Sequence, residues 1–570
     1  MRLGLLQSPG RVWRTVRHLQ VEQLRGRLFH ALRVRLAPLL GPLLRHRFQA
    51  HQRSALSPNL ALLRAWNEAL PTLVHLDDAS LTWARRLANG DVTLLGHQVD
   101  FEGAIDWNHA EAGRLWAFEL HYLDALPILH HSASHNSPED QALARTLLED
   151  WETANPLGSD PAWNPYTTSL RLVNLLRSAA CTRDVLIRTH CLEMAATHAS
   201  WLAPILETHL GGNHLLANLK ALLIATAILP KHEGLRRRQS WNIARFERCL
   251  RSQFLADGGH CERSPMYHSL LTRDLREVHL LTTGTTFFPE DLQKTLGDTT
   301  RRAEGWNAML RHPDGGLAFF NDTNLRESCP GPTDLRDNEP HIALSESGYH
   351  RLRRGPWHVL WDCGPIGPDH QPGHAHADIL SIEASFQGCR LFVNTGLRGY
   401  ADDPRRTHVR STAAHNTVQI GDAEQVELWD CFRVGRRGAP VLEHSGTEGD
   451  TLKLAGHYAW PTLPGAPVHH REVLLDLAGT LHLRDRVQGS VMDWTTRLLL
   501  HPDVAVEEAS GRLLLTTPAG GCRLVHTGGV LRIEEATWHP GFGEDVPTHA
   551  LHIQSTGGDP VHMEISPFPA

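Results

Sequence analysis

The feature that most constrains this fold is a change of hydrophobic period near residues 310–345 of the 570-residue chain. From about residue 58 to 310, apolar residues recur at helical spacing, as Leu170, Val173 and Leu176 do. After this point, short runs rich in Val, Leu and Thr are separated by Gly, Pro and Asp, which is typical of antiparallel strands. The sequence therefore predicts a mostly helical region followed by an antiparallel β region.

Short turns containing Pro, Gly or Asn separate the helical segments, and this spacing favours paired antiparallel helices. No clear strand alternation interrupts them. We predict three parts: a basic N-terminal helical segment at 1–57, a helical domain at 58–325 and a β domain at 326–570.

The N-terminal segment is strongly basic, because residues 1–50 contain ten arginines against the single acid Glu22. These arginines interrupt every apolar run, so we expect neither a secretory signal peptide nor a transmembrane segment, and a chain that is cytoplasmic or exported by another route. A predicted amphipathic helix here either packs on the body of the protein, which we expect, or lies on a membrane or partner. Its apolar residues at helical spacing are Val21, Leu24, Leu28 and Leu32.

Global charge excludes a general attraction to polyanions, since the formal net charge is -7. We therefore expect no nucleic-acid partner. The chain carries 52 arginines but only four lysines, which suits carboxylated or sulfated ligands or simply reflects a genome that favours Arg. The nine cysteines show no CxxC pair, so we expect reduced, mostly buried thiols rather than a zinc ribbon or a disulfide framework.

Three polar clusters stand out in the helical region. A glycine turn opens an apolar helix with Asn213 and His214, where unpaired amides favour an anion, although Asn213 also suits a simple N-cap. The loop at 257–268 holds many polar side chains, which a core explanation does not fit. The segment 163–166 offers aromatic faces and polar edges suited to a sugar.

A fourth cluster lies in the β region. On an extended segment, His374 and His376 would lie on one face, and a third histidine from a neighbouring segment could complete a divalent-metal site. A hydrogen-bonded pair of core histidines is the alternative interpretation.

In this order along the chain, these segments resemble the heparinase II/III family of polysaccharide lyases. The resemblance implies an N-terminal α/α toroid, incomplete, followed by a C-terminal antiparallel β-sandwich, hence an α+β multidomain fold. The matching segments are DWNHAEAGRLWAFELHYLDAL at 106–126, WNPYTTSLRLVN at 163–174, GGNHLLANLKAL at 211–222, DGGHCERSPMYH at 257–268, HAHADILSIEASFQG at 374–388 and RSTAAHNTVQI at 410–420.

The resemblance also implies roles for individual residues. The catalytic residues would be Asn213, His214, Tyr267 and His374, and the metal ligands would be His376, Asn394 and His415. The middle ligand of such lyases is usually Asp, so Asn394 should weaken or alter binding of the expected zinc or manganese. Substrate contacts are predicted for Asn164, Glu262, Arg263, Tyr400 and Arg410.

The implied reaction is β-elimination from a 4-linked uronic acid, with glycosaminoglycans (hyaluronan, chondroitin or heparan types) favoured and alginate next. Asn213 would neutralise the uronate carboxylate so that charge can spread into it as the C5 proton leaves. Tyr267 would protonate the C4 oxygen and, on the same face, also take the C5 proton, with His374 or His214 as the alternative base. A uronate epimerase and a non-catalytic exopolysaccharide-binding or assembly factor are the alternatives.

Overall fold

The computed structural model describes residues 9–33, 35, 57–134, 137–325, 339–489, 493–509 and 511–568. Most of residues 34–56 of the predicted N-terminal segment, and the predicted boundary at 325/326 with the residues after it, therefore lie outside the described residues. The helices are α1 (Pro9–Val16), α2 (residues 21–33), α3 (Leu60–Ala69), α4 (Asp78–Ala88), α5 (Arg114–Leu120), α6 (Ala125–Ser134), α7 (Pro138–Ala154), α8 (Pro165–Cys181), α9 (Val185–Leu202), α10 (Gly212–Ile228), α11 (Glu233–Gln253), α12 (Pro265–Thr282), α13 (Glu290–Met309) and α14 (Pro404–Arg410).

Strands are concentrated after residue 340. They are β1 (Asp91–Leu94), β2 (His97–Asp100), β3 (His341–Leu344), β4 (Tyr349–Arg354), β5 (Trp357–Asp362), β6 (Ile382–Phe386), β7 (Cys389–Phe392), β8 (Val418–Ile420), β9 (Leu428–Trp429), β10 (Arg433–Val434), β11 (Val441–Glu448), β12 (Thr451–Ala459), β13 (Val468–Leu475), β14 (Leu481–Gln488), β15 (Trp494–Leu499), β16 (Ala505–Ala509), β17 (Arg512–Thr517), β18 (Gly520–Thr527), β19 (Val530–Trp538), β20 (Val546–Ser555) and β21 (Val561–Phe568).

The chain forms two compact units that are interleaved in sequence. The β unit comprises Met1–Leu19, Gln253–Leu270 and Arg301–Ala570, and the helical unit comprises Gln20–Ser252 and Leu271–Thr300. The loop that carries Tyr267 therefore belongs to the β unit, although the sequence pattern assigns it to the helical domain.

In the helical unit, polar caps fix where helices begin. Asn59, Asp77 and Asp184 each accept a hydrogen bond from an amide in the first turn of α3, α4 and α9, which satisfies a donor that the helix itself leaves unpaired. Neighbouring helices in the chain pack together, α6 on α7 and α8 on both α9 and α10. α10 is buried on nearly all sides, and this burial explains its run of Leu, Ala and Ile.

The β unit is an antiparallel sandwich. One sheet has the strand order β11-β12-β13-β14-β21-β18-β17-β16, and the others are β3-β4-β5-β6-β7 and β19-β20-β15-β8, with a small β10-β9 pair. Alternation along β13 and β14 buries every second side chain, as a half-buried strand requires. A single apolar cluster draws residues from all three large sheets and forms the core.

α1 and α2 both pack on the body of the protein, as expected. Arg11 and Arg14 of α1 pair with Glu427 in the β unit, and α2 packs on the helical unit through its polar side. The apolar residues of α2 do not make these contacts, since Leu24 and Leu28 are 46% and 65% exposed. None of the described helices is both long and apolar enough to cross a membrane.

The predicted fold class is confirmed: a helical region precedes an antiparallel β-sandwich. One local difference is the β1–β2 hairpin, which pairs Asp91 with Asp100 inside the region predicted to be mostly helical. Eight of the cysteines lie among the described residues, where they are unbridged and mostly buried, as predicted.

Candidate active site

Tyr267 lies in the first turn of α12, and the preceding loop fixes that turn. The Ser264 hydroxyl accepts a hydrogen bond from the Tyr267 amide at 3.2 Å and donates one to the backbone oxygen of Asp322 at 2.5 Å. Arg263 has a φ of 57°, in the left-handed region, so the chain turns sharply just before the helix. The phenol therefore projects from a capped, well-anchored helix start.

The Tyr267 side chain lies between a second phenol and an imidazole. Its hydroxyl is 2.8 Å from the hydroxyl of Tyr400, and its ring stacks on His374 with centroids 3.8 Å apart. Burial and the nearby negative groups raise the pKa of Tyr400 well above its ordinary value, although Arg406 acts against them. Tyr400 thus stays protonated and can donate its proton to the oxygen of Tyr267.

His374 is held between two carboxylates of the β unit. Its Nδ1 is 2.9 Å from Asp322 Oδ2, and its Nε2 is 3.4 Å from Glu262 Oε2. Both carboxylates are almost completely buried. The Asp322 contact orients the ring, because the other ring nitrogen then faces Glu262.

Asp322 is the centre of this cluster. Its carboxylate also accepts from His376 Nε2 at 2.8 Å and from both terminal nitrogens of Arg406, one of them at 2.9 Å. Burial alone would raise the pKa of Asp322, but Arg406 and the hydrogen bonds from the two histidines outweigh burial and hold it well below its usual range. The group is therefore an ionised carboxylate at neutral pH.

Asn213 and His214 open α10 in the helical unit, as predicted. Asn213 is buried, and its Oδ1 accepts no hydrogen bond from the described residues. His214 Nδ1 is 3.3 Å from Glu207 Oε1, and its ring lies 4.4 Å from that of Tyr166. Burial raises the pKa of Glu207, but His214 and Asn218 outweigh it, so the net pKa is lowered and Glu207 is a carboxylate that can orient His214.

The predicted substrate-binding residues differ in what they contact. Asn164 caps α8 by accepting from the Tyr166 amide. Arg263 donates to three backbone oxygens, including that of Ser347 at 3.0 Å, and the buried Arg410 donates to the backbone oxygens of Ala375 and Asp430. Both arginines thus hold loops together, and their contacts with a substrate remain predictions, as do those of Glu262 and Tyr400.

Two family models together cover most of the chain: "Heparinase II/III N-terminus" matches residues 85–333, and "Heparinase II/III-like, C-terminal" matches residues 336–564. The chain belongs to the heparinase II/III-like family. Heparinase II/III membership supports a polysaccharide lyase as the enzyme class.

Among relatives, this heparinase II/III-like protein is 23% identical over 445 residues to FtsZ-localized protein C of Caulobacter vibrioides, covering 74% of this chain and 72% of that one. Its fold is similar to the crystal structure of heparinase III, with a TM-score of 0.71 and 16% identity over 87% and 86% of the two chains. Heparan sulfate lyase HepC from Pedobacter heparinus is also similar, with a TM-score of 0.59 and 17% identity over 90% and 88%.

The metal ligands implied by the heparinase II/III resemblance come together in the β unit. The rings of His376 and His415 are 5.2 Å apart. Burial is the main cause that lowers the pKa of His376 to about 4 and that of His415 well below its ordinary value. Both imidazoles are therefore neutral, as metal ligands must be. His376 Nδ1 is buried without a hydrogen-bond partner among the described residues, and both nitrogens of His415 are also buried. These two residues fit a metal ion.

Asn394 fits less well. Its Oδ1 already accepts from the Ser381 hydroxyl at 2.9 Å and from the Asn416 amide at 3.0 Å. The atom without a partner among the described residues is Nδ2, which is a donor and not a ligand. Two further groups with metal-ligand chemistry lie on the large sheet, Glu443 with His457 and His470, and His482 with His562 and Glu564.

Sequence reasoning missed Asp322 and Arg406. Both are buried charged residues that pair with each other, and both are far in the chain from the predicted catalytic residues that they help to position. One signal was present: the polar run at 321–324 directly follows the buried apolar run at 317–320. Nothing local indicates that this run meets His374, because 52 positions separate His374 from Asp322.

Proposed function

We propose that the protein is a polysaccharide lyase that cleaves uronic-acid-containing polysaccharide by β-elimination and leaves a 4,5-unsaturated product. Glycosaminoglycans of the hyaluronan, chondroitin or heparan types are the favoured substrates, and alginate is next. The observation that carries the proposal is the contact between the Tyr267 hydroxyl and the Tyr400 hydroxyl beside a His374 ring oriented by two carboxylates.

In the proposed reaction, the C5–H and C4–O bonds break and a C4=C5 double bond forms. One proton passes from C5 to a base, and another passes from an acid to the departing C4 oxygen. Tyr267 supplies the proton to that oxygen. The phenolate that develops on Tyr267 accepts a hydrogen bond from the Tyr400 hydroxyl, which is 2.8 Å away. The base is Nε2 of His374. When C5–H lies instead on the face of Tyr267, this tyrosine starts as the phenolate, takes the C5 proton and passes that same proton to the C4 oxygen.

Two residues of the helical unit also have proposed roles, which are argued for that unit by itself. The Asn213 amide donates to the uronate carboxylate, which otherwise makes the C5 proton only weakly acidic. His214, oriented by Glu207, is the proposed base for the opposite epimer at C5. Both roles come from the family resemblance and are tested by substitution.

A panel of hyaluronan, chondroitin, heparan sulfate and alginate tests the reaction class. We expect ultraviolet absorbance of the unsaturated product with at least one of them. Chain cutting without this chromophore would indicate hydrolysis, and deuterium uptake at C5 without cutting would indicate an epimerase.

A second candidate is a non-catalytic polysaccharide-binding or assembly factor. The observation in its favour is that the similar Caulobacter protein is named for its localisation with FtsZ. Binding to one of the same polysaccharides, with no product from any of them, would favour this candidate over the lyase.

A divalent ion, zinc or manganese, is proposed at His376 and His415, where it would tie together the loops around His374. In Asn394→Asp, a carboxylate oxygen replaces the unpartnered amide nitrogen, so we expect tighter binding. Without metal this variant should melt at a lower temperature than wild type, because it places a second carboxylate close to Glu383, which accepts a hydrogen bond from the backbone N–H of residue 394. Calorimetric titration with Zn²⁺ and Mn²⁺, with melting curves, measures both effects.

The matched control is the double variant Asn394→Asp with His415→Gln, which should lose the gain in affinity. Equal melting temperatures with and without metal in all three proteins would contradict the site. In that case the two histidines are simply part of the core.

A further inference from the structure

α2 is an amphipathic helix whose apolar side faces away from the protein. Five of its apolar side chains are exposed, and most of these are more than half exposed. They occupy one stripe, because residues three and four apart share a face of a helix. The stripe residues and their exposures are Val21 63%, Leu24 46%, Leu28 65%, Phe29 61% and Leu32 48%.

The opposite side of α2 is attached to the helical unit by polar and close contacts. Gln23 donates to the backbone oxygen of Leu210, and the His30 ring stacks on His209 with centroids 4.4 Å apart. Position 26 has no space for a side chain, since a Cβ added to Gly26 would lie 2.7 Å from the His209 backbone nitrogen. The helix therefore cannot turn its apolar stripe inward without losing these contacts.

The stripe has basic neighbours. At 100° per residue, Arg25 lies within the stripe, between Leu32 and Phe29, and Arg27 lies beside it on the Leu24 side. Both residues are exposed. The one acid of the first 50 residues, Glu22, pairs with Arg245 at 2.8 Å. An apolar stripe with one arginine within it and another beside it, whose one acid is paired with Arg245, is complementary to an anionic surface.

We propose that α2 binds an anionic lipid surface, with its apolar stripe among the acyl chains and Arg25 and Arg27 at the phosphates. An interfacial helix of this kind lies in the plane of the membrane and need not cross it. Anionic headgroups fit both features of the helix, whereas a second copy of the chain would bring two basic surfaces together. The proposal is independent of the lyase proposal, because α2 contains none of the proposed catalytic residues.

Cosedimentation of the full chain with vesicles tests this proposal. We expect binding to vesicles of equal parts phosphatidylglycerol and phosphatidylcholine, and little binding to pure phosphatidylcholine. Binding should weaken as salt rises, because the arginine contribution is screened. Arg25→Gln should weaken binding about fivefold, the effect of one basic residue near an anionic surface.

Leu24→Ser with Leu28→Ser should weaken vesicle binding by at least about tenfold, because two apolar anchors are removed. The fold should be kept, since both side chains are exposed. The matched control is Val185→Ser with Leu186→Ser on α9, where both residues are also exposed, at 66% and 77%. The control should bind vesicles as wild type does, and circular dichroism checks all three proteins.

Three outcomes overturn the proposal. One is wild-type protein that does not bind the anionic vesicles, and another is binding that persists in the Leu24→Ser, Leu28→Ser variant. The third is a dimer in solution that this variant converts to a monomer without any vesicle binding by wild type, which would make a second copy the occupant.

Discussion

Tyr267→Phe should lower turnover by roughly 100- to 10,000-fold, the usual contribution of one positioned proton donor or acceptor. The substitution removes only the hydroxyl that contacts Tyr400, and the ring can keep its stacking on His374. Substrate affinity and melting temperature should therefore change little. Initial rates of ultraviolet absorbance, with direct binding measurements on the same polysaccharide, separate the loss of chemistry from a loss of binding.

Tyr458→Phe is the matched control. This hydroxyl is also in the β unit, but it bonds only to backbone groups of the sandwich, donating to Gln425 and accepting from Gly438. Removing it should cost some stability and leave turnover of the folded protein near wild type. Near-normal turnover in Tyr267→Phe would contradict the role of Tyr267 and leave His374 as the candidate acid and base.

Asp322→Asn should have the second large effect, because it disturbs orientation and stability together. The amide cannot accept from His374, His376 and Arg406 at once, so turnover should fall about 10- to 100-fold, as for other residues that orient a reactive histidine. Arg406 is left as a buried charge without its counterion, which costs about 3 to 5 kcal/mol in the free energy of unfolding. Denaturant titration and steady-state rates measure the two effects.

The chain offers a close control for the effect on turnover. Asp485 is another buried carboxylate of the β unit, and it accepts from His469 and from two nitrogens of Arg471. Asp485→Asn should reduce stability by a similar amount but leave turnover of the folded protein much less affected, since Asp485 does not contact His374. Equal losses of turnover in both variants would mean that Asp322 acts only through stability.

The free energy of unfolding should depend on pH through the carboxylate of Asp322. The pKa of Asp322 is held well below its ordinary value in the folded protein, so the group stabilises the fold above the unfolded pKa of about 4. This stabilisation is lost as pH falls through the folded pKa. The wild-type free energy of unfolding should therefore decline below about pH 5, and Asp322→Asn should show a smaller decline over that range.

Local sequence patterns were sufficient to predict those helices and strands that are set by the spacing of apolar residues. The helical region, the antiparallel strands and the start of α10 at Asn213 follow from spacing and capping, which act over a few residues. The hairpin of β1 and β2 was missed because it is short and lies within a long helical pattern. The position of the loop at 257–268 in the β unit could not be read from sequence, because it depends on contacts with residues such as Ser347.

The sequence by itself determined the two fold classes, their order and the identity of the polar residues available for chemistry, because these depend on local periodicity and residue type. Only the tertiary structure decided that Asp322 orients His374 and that Tyr400 contacts Tyr267, since those pairs are 52 and 133 positions apart in the chain. It also decided which side of α2 faces outward. A periodic pattern shows that a helix has two faces, but the surface that packs against it determines which face is buried.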